Sequence, residues 1–307
     1  MFIVGLLLLI KGSDIFVEAA TRVAKNFGVS EFVIALVLAS IATTLPEVTV
    51  SAVSSYQGNT DVALGNAIGS ALANIALILA ISALIMPLKV DKIAGENSLI
   101  MLIVTLYVWF LMRDGVISRF DGLSLVLMYA AFLYYLYRKH VRLEDVSAGR
   151  SGDFKKDVLV LLLSGVMVIA GAKLVVKGAV TIAIALGVPE VVIGVTLVSI
   201  GTSLPEFANS LMATLKKVPN VSVGNIVGAN ILDMLMVIGV ASIIRPLPVH
   251  ESIFSVVMPF TLVVMALLTF SLFKNHQVSR KTAVVLLAIY VYFLWLWIEG
   301  KVYIPGG

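Results

Sequence analysis

Ten apolar runs, each near the length that spans a bilayer, divide this chain, and they constrain its fold more than any other feature. They lie near 2–26, 31–56, 61–86, 97–112, 120–138, 156–186, 190–215, 221–244, 250–273 and 279–298. A hydrocarbon core about 30 Å thick is crossed by roughly 20 helical residues. Inside it every main-chain N–H and C=O must find a partner within the protein, which leaves only helices or closed barrels. Runs this long and this evenly apolar read as helices. Composition agrees, since 60% of the 307 residues are hydrophobic and only 13% charged, against about 25% charged in a soluble domain. The first run opens "MFIVGLLLLI" with no basic segment ahead of it, so it is expected to be the first membrane helix and not a cleaved signal.

Charge sets the expected orientation. Of the lysines and arginines near the run ends, fifteen fall on one side of the alternating loops and five on the other. Basic residues accumulate on the cytoplasmic side, which puts the polar stretch Arg138–Asp157 in the cytoplasm and both termini outside. A net charge of +4 gives no reason to expect nucleic acid. With no cysteine, disulfides and thiolate metal sites are excluded. His140, His250 and His276 fall at loops or run ends, and no metalloprotease, serine-hydrolase or nucleotide-loop motif occurs. No enzyme activity and no cofactor are expected.

The chain repeats itself. "TTLPE" ending at Glu47 and "TSLPE" ending at Glu206 are 159 residues apart. The same offset pairs Gly28 with Gly187, Gly65-Asn66 with Gly224-Asn225, Gly69 with Gly228, and Pro87 with Pro246. Between Val29–Gly69 and Val188–Gly228, 16 of 41 positions are identical without a gap, which marks a duplication. Each copy holds five runs. An odd number makes the second copy enter the membrane from the opposite face, the inverted-topology repeat of many secondary transporters. The expected architecture is therefore an all-α integral membrane protein of ten transmembrane helices, arranged as two inverted five-helix repeats. As one membrane domain it divides into 1–138, a cytoplasmic linker 139–155, and 156–307.

Polar residues gather on one face in each copy. Ser40, Thr43, Thr44 and Glu47 are spaced i, i+3, i+4 and i+7, and Ser199, Thr202, Ser203 and Glu206 repeat the pattern. Pro46 and Pro205 lack an N–H and are expected to free carbonyls near Ala42 and Gly201. Asn66, Ser70 and Asn74 share a face of the third run, with Asn225, Ala229 and Asp233 as counterparts. Proline alone fits a kink, and small residues alone fit close helix packing. A carboxylate at a span centre costs about 2.5–3.5 kcal/mol on insertion scales. Bearing that cost twice at matched positions points to function. Carboxylate, amide, hydroxyl and carbonyl oxygens without thiol or imidazole suit a hard cation such as Ca²⁺ or Na⁺. Lys11, Asp14, Glu18, Lys173 and Lys177 read as a polar helix face or as side chains snorkelling to the interface, and Tyr129–Tyr137 as an aromatic belt.

These paired motifs, each followed by a "GN…G…N/D" pattern in the next run, resemble the repeats of the sodium/calcium exchangers, a family within the cation/calcium exchanger superfamily. The similarity is to its short prokaryotic and archaeal members and covers nearly the whole chain. The resemblance implies antiport of Na⁺ against Ca²⁺ in the cell membrane, with these ions and the lipid bilayer as the only partners. It implies that Glu47 and Glu206 bind Ca²⁺ and share in Na⁺ binding. Thr43, Thr202, Ser40 and Ser199 would add hydroxyl or carbonyl oxygens, Thr44 and Ser203 hydroxyls, and Ser70, Asn74 and Asp233 the polar groups of the third and eighth runs. The first and sixth helices would slide to alternate access. The chain departs from the family pattern at Ala42, Thr44 and Ala229, the last removing a hydroxyl from a peripheral Na⁺ position. A third charge beside two others is expected to be neutralised, so Asp233 should carry a proton and act as a neutral donor like Asn74. Proton in place of Na⁺ as the driving ion, and a cation channel, are the open alternatives.

Overall fold

The computed structural model describes residues 1–27, 30–140, 154–185 and 199–299. Within them run α1 (Phe2–Phe27), α2 (Glu31–Gln57), α3 (Thr60–Ile85), α4 (Ile93–Leu111), α5 (Arg119–His140) and α6 (Phe154–Ala185). The second half continues as α7 (Ser199–Thr202), α8 (Leu204–Leu215), α9 (Pro219–Ile244), α10 (Ile253–Asn275) and α11 (Arg280–Ile298). Among the described residues, eight helices are long and apolar enough to cross a membrane, namely α2 to α6 and α9 to α11. The chain is thus a helical multi-pass membrane protein. Helix α1 has the length but carries Lys11, Asp14, Glu18, Arg22 and Lys25. Helix α8 has only 12 residues. The first part of the seventh expected run (190–198), Gly28, Gly187 and most of the expected linker 139–155 lie outside the described residues.

Local chemistry sets the helix ends. The Ser30 hydroxyl accepts a hydrogen bond from the Phe32 N–H at 3.1 Å and starts α2. Gly58, at φ +93°, closes it in the left-handed conformation. The two motif prolines behave differently. Pro46 sits inside the continuous helical stretch Ser40–Gln57, whereas Pro205 occupies the first turn of α8, just after Ser203 interrupts the helix. Both prolines lack the N–H, as expected, but the helix is interrupted only in the second copy. Proline is at home in a first turn, where no N–H is needed. Within α3 and α9 the helix widens to π geometry over Asn74–Leu79 and Asp233–Val237, from residues 159 apart. Such bulges recur at functional sites.

The centre of the molecule is α9, with 83% of its most apolar window buried, while the same measure for α11 is 17%. Glycine sets how close α9 comes to α2. A Cβ on Gly228 would stand 2.2 Å from the Leu36 carbonyl oxygen and 2.6 Å from Ser40 Oγ. Helices α1 and α6 lie side by side over most of their length, and a Cβ on Gly171 would meet the Leu9 main-chain nitrogen at 2.5 Å. The aromatic belt is only partial. Tyr134, Tyr135 and Tyr137 are exposed, but Tyr129 and Phe132 turn into the core.

At the rims the two halves are tied reciprocally. The short strands β1 (Leu88–Lys89) and β2 (Val116–Ile117) belong to the first half, and β3 (Leu247–Pro248) and β4 (Gln277–Val278) to the second. β1 pairs antiparallel with β4, and β2 with β3. The Arg119 guanidinium donates to the Ile244 carbonyl at 3.3 Å, and Arg280 donates to the Leu84 and Ile85 carbonyls at 3.0 and 3.1 Å. In each case an α-helix C-terminus, α9 or α3, has its last carbonyls satisfied from the other half.

The contact at Gly228 makes a sharp expectation. Gly228→Ala must push α9 off Leu36 and Ser40, a misfit costing about 1–3 kcal/mol. Thermal unfolding of the purified variant in detergent should show a clearly lowered midpoint; an unchanged midpoint would contradict this packing.

Candidate ion-binding site

The site is built where α2 and α3 of the first half meet α7, α8 and α9 of the second. Glu47, on α2, and Glu206, on α8, are each only 1% exposed. Among the described residues, neither carboxylate oxygen of Glu47 has a hydrogen-bond partner, nor has Oε2 of Glu206. Oε1 of Glu206 accepts from the Thr44 hydroxyl at 3.2 Å. The two carboxylates lie within electrostatic reach of each other, and Asp233 within reach of both.

Threonine and asparagine exchange contacts across the site. Thr43 Oγ1 donates to Asn225 Oδ1 at 3.3 Å, and Thr202 Oγ1 donates to Asn66 Oδ1 at the same distance. Each links one half to the other, and the two pairs are related by the 159-residue offset. Asn66 also donates to the Glu47 main-chain carbonyl at 3.3 Å and to Ser51 Oγ at 3.0 Å. It thereby holds the stretch of α2 that presents Glu47. Ser40 Oγ donates to the Leu36 carbonyl at 2.6 Å, which leaves the hydroxyl committed to its own helix. The side chain of Ser199 lies outside the described residues.

A second cluster lies where both π-helical turns begin. Asn74 Nδ2 donates to Asn230 Oδ1 at 3.0 Å and to Asp233 Oδ2 at 3.5 Å. Asn230 in turn donates to the Ala71 carbonyl at 3.0 Å. Asn74 Oδ1 and Asp233 Oδ1 have no partner in the protein, although both residues are 1% exposed or less. Ser203 Oγ donates to Ser70 Oγ at 3.2 Å. At the counterpart positions, Thr44 and Ala229, there is no second hydroxyl, and Thr44 donates to Glu206 instead.

Five buried oxygens of the site, two on Glu47 and one each on Glu206, Asn74 and Asp233, therefore accept nothing from the described residues. Buried acceptors are nearly always satisfied, and buried charges are paired or bind metal. Among the described residues no three carboxylate, imidazole or thiol groups converge as a ready metal ligand set. A cation here would also need amide, hydroxyl and main-chain oxygens, which is how hard cations are held.

Of the residues singled out from sequence, Thr43, Thr44, Glu47, Ser70, Asn74, Ser203, Glu206 and Asp233 are buried, and all but Glu47 carry a hydrogen bond that crosses between the halves or, for Asp233, accept one. Thr202 is half-buried beside Asn66, and Ser40 faces its own helix. Asn66 and Asn225 prove to be the threonine partners. Asn230 has no signal in the repeat, since its counterpart 159 residues earlier is Ala71.

The sequence pattern of the sodium/calcium exchanger protein family matches residues 1–138 and 156–298. An uncharacterised membrane protein of Methanocaldococcus jannaschii is 36% identical over 291 residues, covering 94% of each chain. The sodium/calcium exchanger MaX1 of Methanosarcina acetivorans is 30% identical, covering 96% of each. Among solved structures, the sodium–calcium exchanger NCX_Mj soaked with 10 mM Na⁺ and no Ca²⁺ superposes with a TM-score of 0.88 at 34% identity, over 95% of this chain and 96% of that one. The chain, with its duplicated motif and its pair of buried glutamates, belongs to the sodium/calcium exchanger family.

Proposed function

We propose that this protein is a secondary antiporter that exchanges Na⁺ for Ca²⁺ by alternating access, with the ions held at mid-membrane between the two halves. The carrying observation is the set of five buried oxygens without partners, three of them on Glu47 and Glu206. Two carboxylates neutralise one Ca²⁺, or are shared among Na⁺ ions at neighbouring positions. Because both ions use the same charges, they exclude each other. The empty site carries two unpaired charges and crosses at a high cost, so a loaded site is the state that moves. That preference couples the fluxes.

In this reading Thr43, Thr202, Ser40 and Ser199 add carbonyl or hydroxyl oxygens, and Ser70, Asn74 and Asp233 flank the carboxylates. Thr44 orients Glu206, and Ser203 orients Ser70. The ten-helix inverted repeat, divided at 139–155, is supported by the reciprocal rim strands, arginine caps and Thr–Asn pairs. The charge bias of the loops supports external termini and a cytoplasmic linker.

The deciding experiment loads purified protein in liposomes with Na⁺ and follows radiolabelled Ca²⁺ uptake under separate Na⁺ and pH gradients. Uptake should follow the Na⁺ gradient; uptake driven by pH alone would make the protein a cation/proton exchanger instead. Glu47→Gln and Glu206→Gln should each abolish it, and Ca²⁺ should raise the unfolding midpoint of the wild type but not of either variant.

Asp233→Asn is nearly isosteric and keeps a polar group beside Asn74. It should retain most of the exchange, and complete loss with normal expression would show that the charge at 233 is required. Ala229→Ser restores a hydroxyl opposite Thr44. A new ligand or hydrogen bond of about 1 kcal/mol corresponds to a roughly five-fold gain in apparent Na⁺ affinity, read from the Na⁺ dependence of uptake.

A further inference from the structure

A cavity of about 280 Å³ borders the site on one side. Pro46, Val50, Gly201 and Thr202 line it from the motif helices, and Lys173 lines it from α6. Pro46 directly precedes Glu47, and Thr202 holds Asn66, which in turn holds the Glu47 main chain. An ion reaching Glu47 through this cavity passes the exposed Lys173 side chain. A cation transporter gains nothing obvious from an ammonium group there, so its placement asks for an account.

The repeat sharpens the point. The counterparts of Lys173 and Lys177, 159 residues earlier, are Asp14 and Glu18. Those acids are engaged: Lys216 Nζ lies 2.6 Å from Asp14 Oδ1 and 2.6 Å from Glu18 Oε1. The counterpart of Lys216 is Gln57, which offers no charge to Lys173. One face of the molecule thus carries a neutralised charge cluster, and the other a lysine on a cavity wall.

We propose that Lys173 is a specificity-determining residue, a charge filter that lowers the local concentration of cations at this mouth of the site and disfavours Ca²⁺ relative to Na⁺. The inference rests on the antiport reading above. Coulomb energy is proportional to ionic charge, so any factor by which Lys173 depletes Na⁺ is squared for Ca²⁺. A cleft walled by apolar groups focuses that field. The charge acts on arrival and touches neither ion in the bound state.

The chain has no cysteine, so Lys173→Cys creates a single thiol. The variant can carry a cationic or an anionic methanethiosulfonate adduct of similar size, added as membrane-impermeant reagents to proteoliposomes. Removing the charge should raise Ca²⁺ uptake at sub-saturating Ca²⁺ about five-fold and shift the Na⁺ dependence about two-fold, for a unit charge acting across several ångströms of water-like medium. The cationic adduct should return both to wild type, the anionic adduct should raise uptake further, and added inert salt should shrink every difference. Lys173→Arg should match wild type. Lys177→Cys, one turn further along and off the cavity wall, should respond more weakly to the same adducts.

Equal uptake with adducts of either sign, equal shifts for Ca²⁺ and Na⁺, or failure of the reagents to reach position 173 would each overturn the filter while leaving antiport intact. A wild-type protein that exchanges no ions would overturn the antiport reading itself.

Discussion

In hydrocarbon a main-chain carbonyl has no water to fall back on, and the whole architecture follows from that constraint. Helices satisfy most of the backbone, and several departures from regular helix fall where a side chain of the site or of the other half lies close by. Ser203 interrupts the chain beside Glu206, and the π-helical turns begin at Asn74 and Asp233. At the rims, Arg119 and Arg280 satisfy the last carbonyls of α9 and α3. Among the described residues the helix also widens to π geometry at Ala35–Ala39 and Ile253–Val257, so irregular backbone accompanies the candidate site and the capped helix ends without being confined to them.

The site itself combines symmetry in its frame with asymmetry in its ligands. The Thr43–Asn225 and Thr202–Asn66 bonds are the same contact made twice, and each ties a motif helix to the other half. Around them the copies diverge. Ser70 has a hydroxyl partner while Ala229 has none, and Thr44 is thereby free to hold Glu206. Asn74 faces Asp233 as an amide facing an acid. With the divergence, one oxygen of Glu206 is occupied by Thr44, whereas both oxygens of Glu47 are without a partner among the described residues.

Much of this was legible in the residues. The apolar runs and the 159-residue offset define the helices and the pairing of Glu47 with Glu206, because membrane crossing and gene duplication both leave regular spacing. Helix boundaries at Ser30 and Gly58 follow from capping chemistry that is local. The different fates of Pro46 and Pro205 were not legible, since both sit in the same "LPE" and the break depends on how the surrounding helices pack. Asn230 was hidden for a related reason: its value comes from Asn74 and Ala71 across a helix interface, not from any pattern along the chain. The pairing of Lys216 with Asp14 and Glu18 likewise joins residues some two hundred positions apart in sequence.

The short strands at the rims carry a mechanical consequence. β1 with β4 and β2 with β3 fasten the ends of α3, α4, α5, α9, α10 and α11 to one another through main-chain pairing. Helices α1 and α6 take part in neither ribbon. They lie against each other over their length and meet the rest of the protein through side chains alone among the described residues. The stitched helices form a chassis whose rims resist shear. Among the described residues the α1–α6 pair is therefore held to the rest of the protein without strand pairing, by packing and by ion pairs such as those of Lys216 with Asp14 and Glu18.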